Sequence, residues 1–206
     1  MISDESAVLL ERRSAALVSL VITMNQEYES VTMIRENFDE ITCFELPPSF
    51  SINWYEPGQE KSWVEIQRSA DQYNTITLEL FDREFNRNTE SLAQRQCFLI
   101  DMHGTAIGTG TAWFDNHNGL PYGRLHWVAI VPKMQGLGLA KPLLTTLCQR
   151  LRELGHRRAY LTTSPERIPA INLYLEFGFA PEIKDIHDSE VWDDIQNNIR
   201  KKRSRT

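Results

Sequence analysis

A strand, turn and helix pattern in the second half of the chain limits its possible folds more than any other feature. A run of β-branched and aromatic residues, Leu125 to Val131, ends at Pro132 and leads into a glycine-rich turn. An apolar stripe then recurs at helical spacing from Ala140 to Leu154. A proline deep inside a helix costs about 3 kcal/mol, but in the first turn it breaks no hydrogen bond, so Pro142 places the helix start near Gly138. The pattern predicts a buried strand followed by a helix.

The turn between them is a predicted anion-binding site. The main-chain amides from Gly136 to Lys141 lie at the N-terminus of the predicted helix. They should therefore point outward without intrahelical partners. Free amides and the helix dipole together favour an anion, above all a phosphate. The sequence Ala140-Lys141-Pro142 lacks the Gly-Lys-Ser/Thr ending of a P-loop, and Lys141 stands where the dinucleotide fingerprint needs its third glycine. Both of those phosphate motifs are excluded.

What remains resembles the acetyl-CoA signature of the GNAT N-acetyltransferase superfamily. Gln135, Gly138 and Ala140 match its Gln/Arg-x-x-Gly-x-Gly/Ala pattern. A second block, Ala170 to Phe179, is similar to the family's Ala-Ile-x-Leu-Tyr-x-x-x-Gly-Phe helix and follows in the family's order. The resemblance covers Phe50 to Phe179 and implies direct acetyl transfer from acetyl-CoA to an amine in a ternary complex.

The predicted fold is a single α/β (α+β) domain, a twisted, mostly antiparallel mixed sheet flanked by helices, with an extra N-terminal helix. Residues 1–47 are predicted as a helical extension and linker, 48–183 as the acetyltransferase domain, and 184–206 as a C-terminal helix and basic tail. The extra helix, Ser3 to Tyr28, has a wide apolar surface that would suit a homodimer. Its most apolar stretch, Ser14 to Met24, is shorter than the about 20 residues that span a bilayer and lacks a signal-peptide cleavage pattern.

Periodicity predicts the remaining elements. Strands are expected at 50–55, 97–100, 106–113 and 159–163, with further possible strands at 31–35 and 183–186, and helices are expected around Trp63 to Tyr73, Leu78 to Phe85 and Val191 to Arg203.

The composition of the chain limits the kinds of partner that it is expected to bind. The chain has 206 residues and a net charge of -6, which argues against nucleic acid as the main partner despite the basic residues between 200 and 205. Cys43, Cys97 and Cys148 are odd in number and lack metal-ligand spacing, so they indicate reduced thiols in a cytoplasmic protein and no metal site. The short apolar stretch from Ser14 to Met24 leads us to expect no membrane partner.

The resemblance also implies how the donor is held. The main chain from Val128 to Pro132 would pair with the pantetheine arm like an added strand, and the amide near Ile130 would polarise the thioester carbonyl. Arg167 stands where the family often has an asparagine that contacts the arm, and Thr163 or Ser164 would take over that contact. The predicted donor contacts are Val128, Ile130, Val131, Gln135, Gly136, Leu137, Gly138, Leu139, Ala140, Lys141 and Asn172.

Two residues are predicted to move protons. Tyr174 stands where the family helix carries a tyrosine near the CoA sulfur, and a pKa near ~10 keeps it able to protonate the leaving thiolate. His126 is the predicted base, because residues two apart on a strand share a face and His126 therefore points the same way as Val128 and Ile130, and the ordinary pKa of histidine is about 6.5. This histidine is similar to that of arylalkylamine acetyltransferases, whereas many family members have a glutamate where this chain has Arg124. Either residue could instead be a hydrogen-bonded core side chain.

Aromatic and acidic residues suggest the acceptor. The predicted acceptor contacts are Trp54, Tyr55, Trp113 and Phe85, with Trp127 as a further aromatic candidate, and together they would favour an amine with an apolar or aromatic body. Aromatic residues of this kind more often belong to the core. The carboxylates of Glu79, Asp82 and Glu84 could attract a cation. The sequence predicts a small primary amine as acceptor, with two alternatives: a protein N-terminus or lysine, or non-catalytic acyl-CoA binding.

Overall fold

The computed structural model describes residues 30–203 of the chain. The predicted helix from Ser3 to Tyr28, its proposed dimer surface and the apolar stretch from Ser14 to Met24 lie outside these residues. None of the helices in the described part of the chain combines the length and the apolar composition that a membrane span requires. The same part of the chain contains no group of three His, Cys, Asp or Glu side chains that could hold a metal ion.

A seven-stranded sheet organises the described chain, in the order β2-β3-β4-β5-β6-β1-β7. The strands are β1 (Val31–Arg35), β2 (Ser51–Trp54), β3 (Gln96–Ile100), β4 (Ala106–His117), β5 (Leu120–Ile130), β6 (Ala159–Thr163) and β7 (Ala180–Pro181). The helices are α1 (Glu60–Ala70), α2 (Leu78–Phe85), α3 (Thr89–Arg95), α4 (Ala140–Glu153), α5 (Ile168–Glu176) and α6 (Ile186–Arg203). Only β5 and β6 run parallel, so the predicted mostly antiparallel mixed sheet is confirmed.

Strand β1 lies inside the sheet, between β6 and β7. Its pairing with β6 runs from Val31 opposite Thr163 to Arg35 opposite Ala159. The Arg35 guanidinium donates to the Phe177 carbonyl at 2.6 Å, which fastens the strand to the end of α5. The possible strand at 31–35 is therefore confirmed, and the sheet includes residues that precede the predicted domain start at 48.

The predicted strand at 183–186 is wrong. The last strand, β7, is Ala180–Pro181 and pairs with Met33 and Ile34 of β1. Helix α6 begins at Ile186, earlier than expected. Ile183 and Ile186 are 55% and 79% exposed, so no buried face selects an extended strand at these positions.

Helices cover the two faces of the sheet with separate apolar clusters. One cluster joins β-strand residues to the buried face of α4, represented by Leu143 and Leu147, and to Trp192 of α6. The other packs Trp63 of α1 and Phe85 of α2 against the opposite face. The site lies where β5 passes between these two layers.

A β-bulge interrupts β5. Thr109 pairs with Ala129 but Thr111 pairs with His126, so two residues of β5 oppose one of β4, and Trp127 takes a φ of 50°. The extra residue breaks the alternation of side chains. His126 and Trp127 both contact the aromatic layer of α1 and α2, whereas Val128 and Ile130 pack on the α4 side. The prediction that His126, Val128 and Ile130 share one face is wrong for this reason.

Candidate functional site

A large cavity opens where β5 separates from β6. The two strands pair only through Gly123 with Ala159 and Arg124 with Tyr160, and beyond these pairs the facing edge of β5 has no strand partner in the described chain. The cavity has a volume of about 1090 Å³. It is lined by the end of β5, the glycine turn, the first turn of α4, helix α5 and the end of α1. A free edge here agrees with what the family resemblance implied, namely that the main chain from Val128 to Pro132 could pair with the pantetheine arm like an added strand.

The glycine turn presents free amides to this cavity. Gly136 and Gly138 have φ values of 78° and 77°, a left-handed conformation that glycine adopts without steric cost. The amides of Gly136, Leu137, Gly138 and Leu139 donate to no carbonyl of the described residues. Lys141 differs from expectation, because its amide donates to the Gly138 carbonyl at 3.2 Å. Helix α4 begins at Ala140, close to the predicted position, so the arrangement fits a phosphate.

Most of the predicted donor contacts meet at the cavity. The lining includes Val128, Ile130, Gln135, Gly136, Gly138, Leu139, Ala140, Lys141 and Asn172, whereas Val131 and Leu137 do not line it. Gln135 donates its side-chain amide to the Ile130 carbonyl at 2.8 Å, which fastens the turn to the end of β5. The Asn172 Oδ1 is buried and has no partner within the described chain. A buried amide oxygen without a partner fits a ligand that donates an N–H.

Tyr174 lies in the cavity wall on α5. Burial raises the pKa of its hydroxyl to about 12, and the positive charge of Arg167 opposes part of that rise. The hydroxyl makes no hydrogen bond to another described residue. It is therefore protonated at neutral pH and able to donate.

His126 belongs to a buried hydrogen-bonded group rather than to the cavity lining. Its Nε2 lies 3.1 Å from Glu84 Oε2, and the Trp127 indole N–H donates to the same oxygen at 3.0 Å. The bond from His126 is the main cause that lowers the pKa of Glu84 to about 2, with a smaller contribution from Trp127, although burial opposes the shift. Burial lowers the pKa of His126, and the bond to Glu84 opposes this in part. An ionised carboxylate can only accept, so Nε2 carries the proton and Nδ1 keeps a lone pair.

Gln67 connects this group to the cavity. It is 2% exposed, lines the cavity from α1, and donates its side-chain amide to the Trp127 carbonyl at 2.6 Å. The sequence interpretation did not identify Gln67. The available signal was a polar residue on the apolar face of a helix, next to Trp63 and Ile66 at helical spacing.

An ion pair joins two walls of the cavity. Arg167, at the start of α5, lies 2.8 Å from Asp71, which follows α1. Asp71 also accepts the amides of Tyr73 at 2.7 Å and Asn74 at 2.9 Å, and the Arg167 guanidinium lies over the Tyr73 ring. Burial alone would raise the pKa of Asp71, but the bond from Arg167 and those from Tyr73 and Asn74 lower it. The ionised pair holds the loop after α1 against α5.

The four predicted acceptor contacts lie elsewhere. Phe85 and Trp113 pack in the aromatic layer with ring centroids 5.3 Å apart. Tyr55 lines a smaller pocket of about 550 Å³ together with residues of α1, α2 and α3. The Trp54 ring lies under the Arg150 guanidinium at 4.0 Å. None of these side chains lines the larger cavity.

Comparison with protein families gives a match across most of this region. A model described as "Acetyltransferase (GNAT) family" matches residues 52–179. The mycothiol acetyltransferase of Cellulomonas flavigena is 28% identical over 152 residues, which cover 69% of this chain and 44% of that protein. The chain thus spans less than half the length of this curated relative.

Solved structures show the same fold. A GCN5-related N-acetyltransferase from Sphaerobacter thermophilus superposes with a TM-score of 0.58 at 19% identity, over 80% of this chain and 53% of that one. The aminoglycoside N-acetyltransferase AAC(6')-Iy, solved in complex with CoA, superposes with a TM-score of 0.52 at 24% identity, over 68% of this chain and 96% of that one.

Proposed function

Because the chain belongs to the GNAT family of acetyltransferases, we propose that it transfers the acetyl group of acetyl-CoA to a primary amine of a small molecule. The cavity at the β5–β6 separation carries the proposal, since it places free turn amides, an unpaired strand edge and Tyr174 around one space. Acetyl-CoA would supply the thioester carbonyl that the amine attacks directly. The residues of the chain would bind the donor, orient it and move two protons.

Donor binding would use main-chain groups. The amides of the glycine turn, with Lys141 beside them, would donate to the diphosphate. The Val131 amide donates to Ile107 of β4 at 2.9 Å, so the neighbouring Ile130 amide faces the opposite, unpaired edge. That amide would stabilise the negative charge that develops on the acyl oxygen. The buried oxygen of Asn172 would accept an N–H from the peptide-like arm.

Proton transfer would use Tyr174 and His126. The Tyr174 hydroxyl would protonate the departing thiolate. The Nδ1 of His126 would take the proton of the attacking amine, and because His126 does not line the cavity, that proton would reach it through water. Glu84 would stabilise the resulting imidazolium.

The acceptor end favours a small molecule over a peptide. The Asp71–Arg167 pair joins two cavity walls, and an acceptor that enters beside it would have less room if it were a peptide chain than if it were a small amine. Two similar proteins are named for mycothiol and for an aminoglycoside, which supports the same acceptor class.

The direct test is a panel of amines assayed for thiol release from acetyl-CoA. The panel would contain aminosugars, arylalkylamines and a peptide with a free N-terminus, with propionyl-CoA as a second donor. We expect release that depends on a small amine. Turnover with the peptide alone would replace this proposal by the protein-acetylation alternative, and CoA binding without any turnover would favour a non-catalytic acyl-CoA-binding protein.

Substitution Tyr174→Phe tests the proposed acid. We expect turnover to fall by about 10²-fold to 10⁴-fold, because the leaving thiolate loses its proton donor. CoA affinity, measured by calorimetry, should stay unchanged. Tyr122→Phe is the matched control, since this buried tyrosine contacts Glu36 and lies outside the cavity lining. Full turnover in Tyr174→Phe would remove the role.

A further inference from the structure

An ion pair lies at the phosphate end of the cavity. Lys141, in the first turn of α4, donates to Glu176 Oε1 at 2.6 Å, and both side chains line the cavity. The Lys141 ammonium also lies over the Phe44 ring at 4.6 Å. In the cavity lining of the described chain the other basic residue is Arg167, which is paired with Asp71. Lys141 is thus the cation beside the free amides of the turn, and its ammonium group is paired with the Glu176 carboxylate.

The position of Glu176 does not suit the helix that carries it. Glu176 is the last residue of α5, where a negative charge opposes the helix dipole. The two side chains of the pair are 39% and 41% exposed, and ion pairs so exposed contribute little to stability. Neither the helix dipole nor the strength of the ion pair therefore accounts for a carboxylate at this position, which lies in the cavity lining against Lys141.

We infer that Glu176 competes with the diphosphate of CoA for Lys141 and thereby sets how tightly the enzyme holds donor and product. This rests on the proposed function, because it assumes that the turn binds CoA. Entry of the diphosphate displaces the Glu176 carboxylate from Lys141. Departure of CoA lets the pair form again, so Glu176 lowers CoA affinity and promotes product release.

The test is calorimetric titration of the whole chain with CoA and, separately, with pantetheine, which lacks the phosphates. We expect Glu176→Gln to bind CoA roughly two-fold to five-fold more tightly than the wild type, the range that the loss of an exposed ion pair allows. Its pantetheine affinity should not change, because pantetheine makes no contact with Lys141. Glu153→Gln is the matched control, since Glu153 forms an exposed ion pair with Arg150 at the far end of α4 and should leave CoA affinity unchanged.

A double-mutant cycle separates this competition from a general effect of charge. In the Lys141→Gln background the gain from Glu176→Gln should disappear. Equal or weaker CoA binding by Glu176→Gln would overturn the inference while leaving the proposed function intact. A gain that persists without Lys141, or that also appears with pantetheine, would overturn it as well. A wild-type chain that binds no CoA would overturn both proposals.

Discussion

Glu84 accepts two ring N–H groups on a single carboxylate oxygen, from His126 and from Trp127. Substitution Glu84→Gln removes the charge that supports a protonated imidazole. Because that charge raises the pKa of His126 against burial, we expect the acidic limb of the kcat/KM profile to move to lower pH and kcat to fall. The measurement is a pH profile at saturating acetyl-CoA.

Other charges also act on His126, namely Arg124, which lowers its pKa, and Asp115, which raises it. Both remain in the variant, so the shift reports Glu84 alone. Glu79→Gln serves as control, because Glu79 is exposed on the same helix. An unmoved acidic limb accompanied by lower stability would show that Glu84 only supports the bulge.

Sequence analysis predicted roles for Tyr174 and His126 but did not predict that Glu84 would bind the His126 ring. The position of Tyr174 could be predicted because the helical block that carries it is continuous in the chain. The orientation of His126 could not be predicted, because the bulge at Trp127 depends on the pairing between β4 and β5 and turns the His126 side chain to the other face of the sheet. Gln67 and Glu84 reach the same strand from separate helices, which no local pattern reveals.

Helix α6 is held by packing through Trp192, Ile195 and Ile199, which are at most 7% exposed. Trp192→Ala removes a fully buried side chain whose indole N–H has no partner among the described residues, so the loss is one of packing. We expect the free energy of unfolding to fall by about 3–5 kcal/mol, measured by urea denaturation. Asp193→Ala, on the exposed side of α6, should change it little. A small loss for Trp192→Ala would show that α6 does not belong to the cooperative fold.

Among the helices and strands, short apolar runs bounded by turn residues predicted most of the strands, but two features were not predicted. Strands β4 and β5 form one long hairpin whose turn is Asn118-Gly119, with φ values of 52° and 76°. An Asn-Gly pair between extended segments favours such a turn, but the residues on its two sides, 115–117 and 120–121, show no alternation of apolar and polar residues that would mark them as strands. Helix α3 was also missed, since only Leu92 of its seven residues is buried and no apolar stripe forms.

For the molecule as a whole, the groups with shifted pKa values predict that the folded state loses stability in two steps as the pH falls. His126 and His156 have pKa values below the ordinary 6.5, both chiefly because of burial. As the pH falls below 6.5 the unfolded chain therefore takes up protons that the folded chain resists, and stability decreases. His156 illustrates the cost, because its Nε2 lies 3.2 Å from the Arg95 guanidinium, which can only donate, and a protonated ring could not accept that bond.

The second decrease in stability comes from the Glu84 carboxylate. Glu84 keeps its charge in the folded state to a pKa of about 2 against an ordinary 4.5, so its contribution is complete above 4.5 and is lost as the pH falls towards 2. We expect the urea midpoint to be constant between about pH 7 and 8, lower at about pH 5.5 and lower again at about pH 4. His156→Gln, which retains an acceptor for Arg95, should reduce the first decrease and leave the second. A midpoint that rises on acidification would contradict both assignments, because the lowered pKa values of His126, His156 and Glu84 all favour the folded chain at the higher pH.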